Sequence, residues 1–469
     1  MSNDIMKAPE SGVTVRMYRT GFGDCFLLAF RGRYNATVYM LIDCGVHAQY
    51  SGGSDKIREV VGHLKETTGG RLHVVAITHE HADHISGFAS AREVFEKEIN
   101  IDQAWFAWTE DPQNPDAEAL RNRRTSMKMA LQGVQQRLAA NGQADETIAG
   151  LLGFFGVNSG DGGLLPLNTS NVFDVIRKKA KDSKYYKPKC PPLTLPGVEG
   201  VRVFVLGPPE DKKALMSARP TGKPGEVYEE QGFAAASSTA QSPWEEEASQ
   251  PFASNYRVQV EVARENKKLY PFFHEHYGFE DADAESWRRI DSDWLYPADT
   301  LALKLDSATN NTSLVLAIEL QNSGRVLLFP GDAQVGNWES WHEGGWSEEN
   351  GLAKGETITA KDLLNRTVLY KVGHHGSHNA TLRELGLEMM VSKELTAMIP
   401  VNEEWALARK PYPWKMPFHP LYKDLQKRTR GRILRTDVKW EPTEEAEWKA
   451  LSSQPREQDL YVELTIPDE

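Results

Sequence analysis

The segment Thr78-His79-Glu80-His81-Ala82-Asp83-His84 places three imidazoles and a carboxylate directly after an apolar stretch. That stretch, Val74 to Ile77, lacks polar alternation and predicts a strand covered on both faces. His79 and His81 are two positions apart, so in an extended turn both rings point the same way, while Asp83 and His84 reach a second position. Three of the 13 histidines lie within six residues, which disfavours a plain solvated turn. The segment therefore predicts a metal centre with room for two ions.

The flanking sequence predicts a layered α/β fold. Short apolar stretches alternate with glycine turns, and Ser54 to Leu64 has the apolar periodicity of a helix with Ser54 as its cap. Helical spacing also recurs between Asp116 and Ala140. The predicted strands are Val13–Met17, Cys25–Phe30, Thr37–Ile42, Val74–Ile77, Val201–Leu206, Leu301–Leu305 and Ser313–Leu320, and a further helical run covers Ile85–Glu96.

About ninety residues separate the predicted strand Val201–Leu206 from the next predicted strand, Leu301–Leu305. We interpret residues 210–298 as an insertion. Its first part, Ser217 to Ser249, is rich in Gly, Ala, Ser, Pro and Glu and predicts a mobile loop. Its second part, Val258 to Tyr296, is rich in aromatic residues and predicts either a helical flap or a plainly packed segment. We expect one domain over 13–440 around this insertion, followed by a C-terminal extension at 441–469.

Composition excludes several classes of protein. With 54 basic and 66 acidic residues the net charge is −12, so no broad positive field exists to hold long nucleic acid. There is no apolar run of about 18 residues to span a bilayer, and the polar N-terminus lacks a signal peptide's apolar core. We therefore expect a cytoplasmic protein with no membrane partner. Cys25, Cys44 and Cys190 are too scattered for a disulfide framework and are interpreted as packing residues.

The spacing His79-x-His81-x-Asp83-His84 resembles the signature of the metallo-β-lactamase superfamily. The resemblance implies an αββα sandwich, a four-layer α/β fold, with a one- or two-metal site on its edge. Leu41-Ile42-Asp43-Cys44-Gly45 resembles the strand whose aspartate supports that site from behind, and Phe329-Pro330-Gly331-Asp332-Ala333 resembles the strand that ends in the metal-bridging aspartate. Tyr370 to His378 resembles the last histidine motif, in which either His374 or His375 ligates the second ion. The implied metal ligands are His79, His81, Asp83, His84, Asp332 and one of His374 and His375.

Five further motifs occur together, namely Gly21-Phe22-Gly23-Asp24-Cys25, Val205-Leu206-Gly207-Pro208, Asn310 to Leu316, Gly331-Asp332-Ala333 and His374-His375-Gly376-Ser377. This set resembles the nuclease-like domain of DNA-uptake competence channel proteins and their soluble relatives. The channel itself has no counterpart here, so DNA import is not implied. No histidine matches the one that many superfamily members place between the first cluster and the bridging aspartate. His274 and His276, which fall in that interval, are interpreted as packed or surface residues.

These resemblances imply a hydrolase that uses a metal-bound hydroxide, most simply a phosphodiesterase or nuclease. Asp83, Asp332, His374 and His375 are the expected catalytic residues. Zinc is the expected ion, with one or two bound, and manganese fits a site richer in oxygen ligands. A small-molecule or short nucleic-acid phosphodiester is the expected substrate, and protein partners are undetermined. Ser377, His378 and His419 are the expected substrate contacts.

Two other functions stay open on sequence alone. The same metal centre can hydrolyse a carboxylic ester, thioester or lactam, and a non-catalytic metal-binding partner protein can retain the fold. A basic run near the end of the chain can approach phosphate groups, although such a run is more often one solvated helix face. It comprises Lys423, Lys427, Arg428, Arg430, Arg432 and Arg435.

Overall fold

The computed structural model describes residues 5–140, 146–156, 169–217, 268, 270–277, 305–410, 413–440, 448, 451 and 454–469. By its contacts the chain divides into a main unit, Met1–Glu230 with Ala302–Glu469, and a second unit, Gln231–Leu301. The strands of the main unit are β1 Val13–Tyr18, β2 Cys25–Arg31, β3 Thr37–Cys44, β4 Arg71–Ile77, β5 Asn100–Ala107, β6 Ala180–Tyr186, β7 Val201–Gly207, β8 Val315–Leu320, β9 Val326–Phe329, β10 Gly345–Trp346, β11 Ile358–Thr359, β12 Thr367–Lys371, β13 Thr396–Ile399, β14 Ile433–Arg435, β15 Arg456–Glu457 and β16 Tyr461–Ile466.

Two large sheets are built from these strands. The first has the order β15-β16-β1-β2-β3-β4-β5-β6, and the second has the order β14-β13-β12-β9-β8-β7. Pairing is antiparallel from β15 to β3 and parallel from β3 to β6. In the second sheet β7, β8 and β9 are antiparallel, whereas β9, β12, β13 and β14 are parallel. Each sheet thus contains a parallel half whose strands end at one edge.

Helices cover the outer faces of both sheets. Helix Gly53–Thr68 turns Ile57, Val60, Val61 and Leu64 onto the first sheet and ends at Gly69, whose left-handed φ of 62° suits glycine. The other helices are Ala82–Ser90, Arg92–Lys97, Pro115–Ala140, Glu146–Phe154, Thr169–Lys179, Lys212–Met216, Val335–Trp341, Ala360–Asn365, Glu403–Leu407 and His419–Arg428. Helix Val335–Trp341 contacts β7, and helix Ala360–Asn365 contacts β9.

The hydrophobic core lies mainly between the two sheets. Alternate residues of β1, β2 and β3, such as Val15, Leu28 and Met40, share one buried cluster with Ile318 and Phe329 of the second sheet. A second cluster joins the other face of the first sheet to its helices. The layers therefore run helix, sheet, sheet, helix, and the predicted αββα sandwich is confirmed.

The end of the chain belongs to the first sheet. β16 pairs with β1 over six residues, from Val13 opposite Ile466 to Tyr18 opposite Tyr461. Buried Arg16 of β1 donates to Glu463 of β16 through Nε at 2.9 Å and Nη2 at 2.7 Å. Residues 461–466, assigned from sequence to an extension beyond residue 440, are thus a strand of the sandwich, because their alternating apolar side chains complete its core.

Two predicted elements differ from the observed ones. Of the predicted strand Leu301–Leu305, only Leu305 lies in the described residues, and it belongs to a helical stretch, residues 305–310, in which Thr309 Oγ1 donates to the Leu305 carbonyl at 2.8 Å. The polar residues that follow Leu305 do not offer a strand its alternating apolar face. The helical run predicted over Ile85–Glu96 is two helices, because Ala91 leaves the helical conformation with φ −115° and ψ 33°.

The second unit is described only at residue 268 and in helix Tyr270–Tyr277. His274 and His276 lie on this helix, where Phe272 stacks edge to face on His276 with ring centroids 4.6 Å apart. The loop predicted for Ser217 to Ser249 lies outside the described residues after Ser217, as does most of the predicted flap.

Cys25 and Cys44 are buried and unoxidised, and Cys190 is half-buried, which agrees with their interpretation as packing residues. Among the described helices, none combines the length and the apolar character needed to cross a bilayer.

The position of β16 makes a prediction about stability. Leu464 is 1% exposed in the core between the sheets, whereas Leu407 on helix Glu403–Leu407 is 48% exposed. We expect Leu464→Ala to lower the free energy of unfolding by about 2–5 kcal/mol, and Leu407→Ala to change it by less than about 0.5 kcal/mol. Urea unfolding of both variants measures this, and equal losses would show that the C-terminal strand is not part of the core.

Candidate metal centre

The predicted site residues come together where strands of both sheets end. Thr78 to His84 follow β4, and Asp43 stands near the end of β3 in the same sheet. Asp332 follows β9, and His374 and His375 follow β12 in the other sheet. Because carboxyl ends of parallel strands meet at one edge, segments far apart in sequence converge there. A hydrogen bond of 2.9 Å from Leu314 N to the Thr78 carbonyl joins the two sheets beside the site.

His79 and His81 form the first pair of potential ligands. His79 Nε2 lies 3.1 Å from His81 Nδ1, and Thr78 Oγ1 lies 3.1 Å from the other ring nitrogen of His79. Burial, reinforced by the neighbouring His84, holds the pKa of His79 well below its usual value, and burial lowers the pKa of His81 to about 4. Both rings are therefore neutral at pH 7 and present lone pairs, as metal-binding imidazoles must.

Asp83, His84, Asp332 and His375 form the second set. His375 Nε2 lies 2.8 Å from Asp83 Oδ2, and His84 Nε2 lies 3.0 Å from Asp332 Oδ2. Within the described residues, three groups have ligand atoms close enough to share an ion, all within 4.8 Å of one another. The groups are His79 with His84 and Asp332, Asp83 with Asp332 and His375, and Asp24 with Asp43 and His84.

The far nitrogens of His84 and His375 are held by fixed acceptors. His84 Nδ1 lies 2.7 Å from Asp43 Oδ2, and His375 Nδ1 donates to the Pro400 carbonyl at 2.6 Å. Asp43 also accepts from the backbone N–H and the hydroxyl of Thr78, at 2.8 and 2.7 Å. These contacts direct Nε2 of both rings toward the cluster, as acceptors behind a ligating histidine do. Asp43 thus lies where the resemblance implies, behind the site.

His374 differs from its neighbour. Its backbone N–H donates to Asp332 Oδ1 at 2.8 Å, and its Nδ1 lies 2.9 Å from Ser377 Oγ, which donates to Asn379 Oδ1 at 3.0 Å. Ser377 therefore accepts from Nδ1, and His374 Nε2 carries the lone pair. The two histidines stand on a turn with left-handed φ values of 45° and 53°. The groups of potential ligands include His375 and leave out His374.

Charge in the cluster is balanced by a lysine that the sequence analysis did not single out. Lys371 Nζ lies 2.5 Å from Asp24 Oδ2, 3.2 Å from Asp332 Oδ1 and 2.9 Å from the Gly331 carbonyl. Burial opposes the charge of Asp332, yet His84 and Lys371 outweigh it and hold the pKa of Asp332 well below its usual value. A charged residue ending the apolar strand Thr367–Lys371 is the signal that marks it in sequence. Asp24 belongs to the sequence motif Gly21-Phe22-Gly23-Asp24-Cys25 described above.

Histidine protonation supplies further positive charge. Burial lowers the pKa of His84, but Asp332 and Asp24 outweigh it and raise that pKa well above its usual value. Burial also lowers the pKa of His375, but the hydrogen bond from His375 to Asp83 outweighs burial, so the pKa of His375 is raised. The surrounding carboxylates thus favour protonation of these two rings when no cation is bound.

The residues present fit a divalent cation. Several buried atoms that line the cluster have no well-oriented hydrogen bond among the described residues, although His84 Nε2 and Asp332 Oδ2 lie 3.0 Å apart. They include Asp24 Oδ1, Asp83 Oδ1, His84 Nε2, Asp332 Oδ2 and His374 Nε2. Buried polar atoms are normally paired, so such a concentration marks a place for a ligand. Mixed imidazole and carboxylate donors suit zinc and also admit manganese.

Gly331 sets the close approach of the two sheets at this point. Its φ is 58°, and a Cβ there would lie 2.9 Å from side-chain atoms of both Ser313 and Thr78. Ser313 Oγ in turn accepts from the Asp332 N–H at 3.0 Å. Only glycine therefore allows Asp332 to sit against the β4 end.

Aromatic side chains surround the histidines. The ring of Phe22 lies 4.0 Å from that of His375, and Phe154 lies 6.1 Å from His374 while stacking on Trp414 at 5.2 Å. Phe155 packs edge to face on His81 with centroids 4.7 Å apart. This shell limits water around the cluster and strengthens electrostatic interactions inside it.

The predicted substrate contacts lie at different depths. Ser377 is buried and bonded to His374, whereas His378 and His419 are exposed. His378 packs its ring near Phe418, with centroids 5.8 Å apart. In the described part of the chain, no hydrogen bond or ion pair joins His378 or His419 to the cluster, so their role as substrate contacts stays a prediction.

The basic run is divided between structural and exposed positions. Buried Arg432 donates to the Leu395 carbonyl at 3.3 Å through Nε, and Arg435 pairs with Asp437 and Glu403 at 2.7 and 2.8 Å. Arg428 pairs with Asp424 at 2.6 Å. Lys423, Lys427 and Arg430 are exposed. Half of the run therefore serves the fold, which weakens its interpretation as a phosphate-binding surface.

Part of the sequence also matches a family model. Residues 18–145 match the family model of the metallo-beta-lactamase superfamily. No curated protein matches the chain. The matched range contains Asp43 and the segment from His79 to His84, while Asp332 and His375 lie beyond it and are brought to the same cluster by the fold. Together the match and the donor groups support a divalent-metal centre of the kind that superfamily uses.

The burial of Lys371 makes a prediction about stability. Lys371→Met leaves Asp24 and Asp332 without their cation, and we expect it to lower the free energy of unfolding of metal-free protein by about 3–5 kcal/mol. Added zinc should restore part of this loss. Urea unfolding with and without chelator measures both effects.

The matched control is Lys187→Met, which removes an exposed ion pair with Glu210. We expect this change to cost about 0–1 kcal/mol. A Lys371→Met protein no less stable than the Lys187→Met protein would contradict the charge balance described above.

Proposed function

We propose that the protein is a metal-dependent hydrolase, and specifically a phosphodiesterase or nuclease that acts on a small-molecule or short nucleic-acid phosphodiester. The observation that carries the proposal is the position of Asp332, which belongs to two of the three groups of potential ligands and so lies between two candidate ion positions. A carboxylate can give one oxygen to each of two cations.

The residues that would hold the ions divide into two sets. His79 Nε2 and His81 Nδ1 face each other for the first ion. Asp83, His84, Asp332 and His375 surround the second position. When bound, divalent ions lower the pKa of water and stabilise negative charge on substrate oxygens.

The remaining residues orient and isolate the reacting groups. His374 Nε2 bears a lone pair and no hydrogen bond within the described residues, so it can accept a proton or a hydrogen bond from substrate. Burial lowers the pKa of His374 to about 4, which keeps this nitrogen unprotonated at pH 7. Lys371 holds Asp332 ionised, and Phe154 with Trp414 restricts water. No serine or cysteine nucleophile is needed.

The choice of a phosphodiester rests on the motif set shared with the nuclease-like domain of competence proteins. An ester, thioester or lactam substrate uses the same centre, so the assay compares these classes directly. We expect turnover of bis-p-nitrophenyl phosphate or single-stranded DNA, and none of lactam or thioester substrates. Turnover confined to a lactam or thioester would exclude the phosphodiester assignment.

Asp332→Asn is the control for that assay. The amide removes the negative charge between the two ion positions, and we expect phosphodiester turnover to fall by about 100-fold or more. Activity that survives this substitution would identify a contaminant or an incorrect mechanism.

The adjacent histidines give a matched pair of variants. We expect His375→Ala to lower the zinc content, because it removes a donor beside Asp83 and Asp332. His374→Ala should retain zinc, because the His374 ring lies outside the donor groups. It should lower turnover, because it removes the unprotonated Nε2 that can accept a proton or a hydrogen bond from substrate. Elemental analysis and kinetic assays of both proteins measure these effects. Zinc lost in His374→Ala and retained in His375→Ala would show that His374, not His375, binds the ion.

A further inference from the structure

A buried carboxylate outside the three donor groups lies behind His81. Asp306, on helical residues 305–310, is 5% exposed, and its Oδ1 lies 3.8 Å from His81 Nε2. Its other oxygen accepts from Asn310 Nδ2 at 3.2 Å. Neither Asp306 Oδ1 nor His81 Nε2 has a hydrogen-bond partner in the described ranges. Two unpaired buried polar atoms thus face each other.

The two nitrogens of His81 have different surroundings. Nδ1 faces His79 Nε2 at 3.1 Å, the side on which a shared cation would lie. A neutral imidazole has one protonated nitrogen, so a ring that offers its Nδ1 lone pair must carry its proton on Nε2. The rings of Phe154 and Phe155 flank His81, with centroids 5.5 and 4.7 Å away, and offer no strong acceptor. The carboxylate that faces Nε2 is Asp306.

We propose that Asp306 is a positioning residue that accepts the Nε2 proton of His81 and thereby holds Nδ1 free to bind the first ion. The inference rests on the metal centre proposed above. Ligating histidines usually donate their other N–H to a carboxylate or carbonyl, which fixes the tautomer and the ring orientation. The 3.8 Å separation must shorten by about 1 Å to form this hydrogen bond.

The first ion position has few donor side chains, His79 and His81, and the support that Asp306 gives to His81 compensates for this. Neither Asp306 nor His81 belongs to the three groups of potential ligands among the described residues, but His81 Nδ1 faces His79 Nε2 and Asp306 faces only the other nitrogen of that ring. The contribution of Asp306 therefore acts through His81. His84 and His375 already have acceptors behind them in Asp43 and Pro400. Asp306 gives His81 the corresponding support.

The first test is the isosteric variant Asp306→Asn. Asn310 donates to the Oδ2 position, so the new carbonyl takes that position and the new amide N–H₂ faces His81 Nε2. The amide then favours the tautomer with the proton on Nδ1, which cannot bind an ion. We expect zinc affinity at one site to fall about 10- to 100-fold, with the affinity at the other site retained. Asp306→Ala, which removes the acceptor, should show the same loss.

Zinc affinities are measured by competition with a chromophoric chelator on the full-length protein. Asp468→Asn is the matched control, because Asp468 is a buried carboxylate whose side chain accepts from Ser323 N at 2.8 Å, away from the cluster. We expect wild-type zinc affinities in this control. Retention of the second ion in the Asp306 variants shows that the fold persists.

A measurement on the wild-type protein avoids dependence on the variants. Long-range ¹H–¹⁵N spectra of zinc-loaded protein with labelled histidine report which ring nitrogen carries the proton, with His81 assigned from a His81→Gln sample. We expect a protonated Nε2 on His81. A His81 ring protonated on Nδ1 overturns the inference.

The possible failures are distinguishable. Wild-type protein that binds no zinc contradicts the proposed function itself. Wild-type protein that binds zinc, with unchanged affinities in Asp306→Asn and Asp306→Ala, contradicts only the role of Asp306.

Discussion

The site depends on the Asp332 carboxylate, which is buried where the two sheets meet. One oxygen accepts from the His374 N–H and lies near Lys371, and the other lies 3.0 Å from His84 of the opposite sheet. A buried charge is costly unless it is paired and hydrogen-bonded. Asp332 therefore requires partners from both sheets at the same edge. The strand ends of both sheets supply them there.

Several of the central side chains are held by another group, so the arrangement is set before any ion binds. Asp43 holds His84, the Pro400 carbonyl holds His375, and Ser377 holds His374. Each contact fixes the orientation of its ring and turns the remaining nitrogen toward the cluster. Such support keeps donor atoms in place at no reorganisation cost during reaction. The 3.8 Å gap at His81 is the looser point of this set.

The cluster gathers more carboxylates than fixed cations. Asp24, Asp43, Asp83 and Asp332 lie close together, with Lys371 as the lysine among them. These carboxylates raise the pKa values of His84 and His375, which favours protons on the two rings in the absence of an ion. Divalent ions supply the same charge when those protons leave. The shell of Phe22, Phe154 and Trp414 makes this balance more important, because screening by water is weak there.

Local pattern was sufficient for much of the fold and part of the site. Apolar runs and helical periodicity located the strands from β1 to β4 and the helices from 53–68 and 115–140, because burial on one or both faces leaves a direct mark on sequence. The spacing of His79, His81, Asp83 and His84 likewise predicted that these side chains gather on one turn, since neighbours in sequence are neighbours in space there. The tertiary structure decided that the His375 ring lies with Asp83 and Asp332, that Lys371 balances Asp24, that Asp306 lies behind His81, and that residues 461–466 complete the first sheet. These contacts join residues up to several hundred positions apart, and a local pattern cannot encode them because only the packing of the two sheets brings the partners within reach of each other.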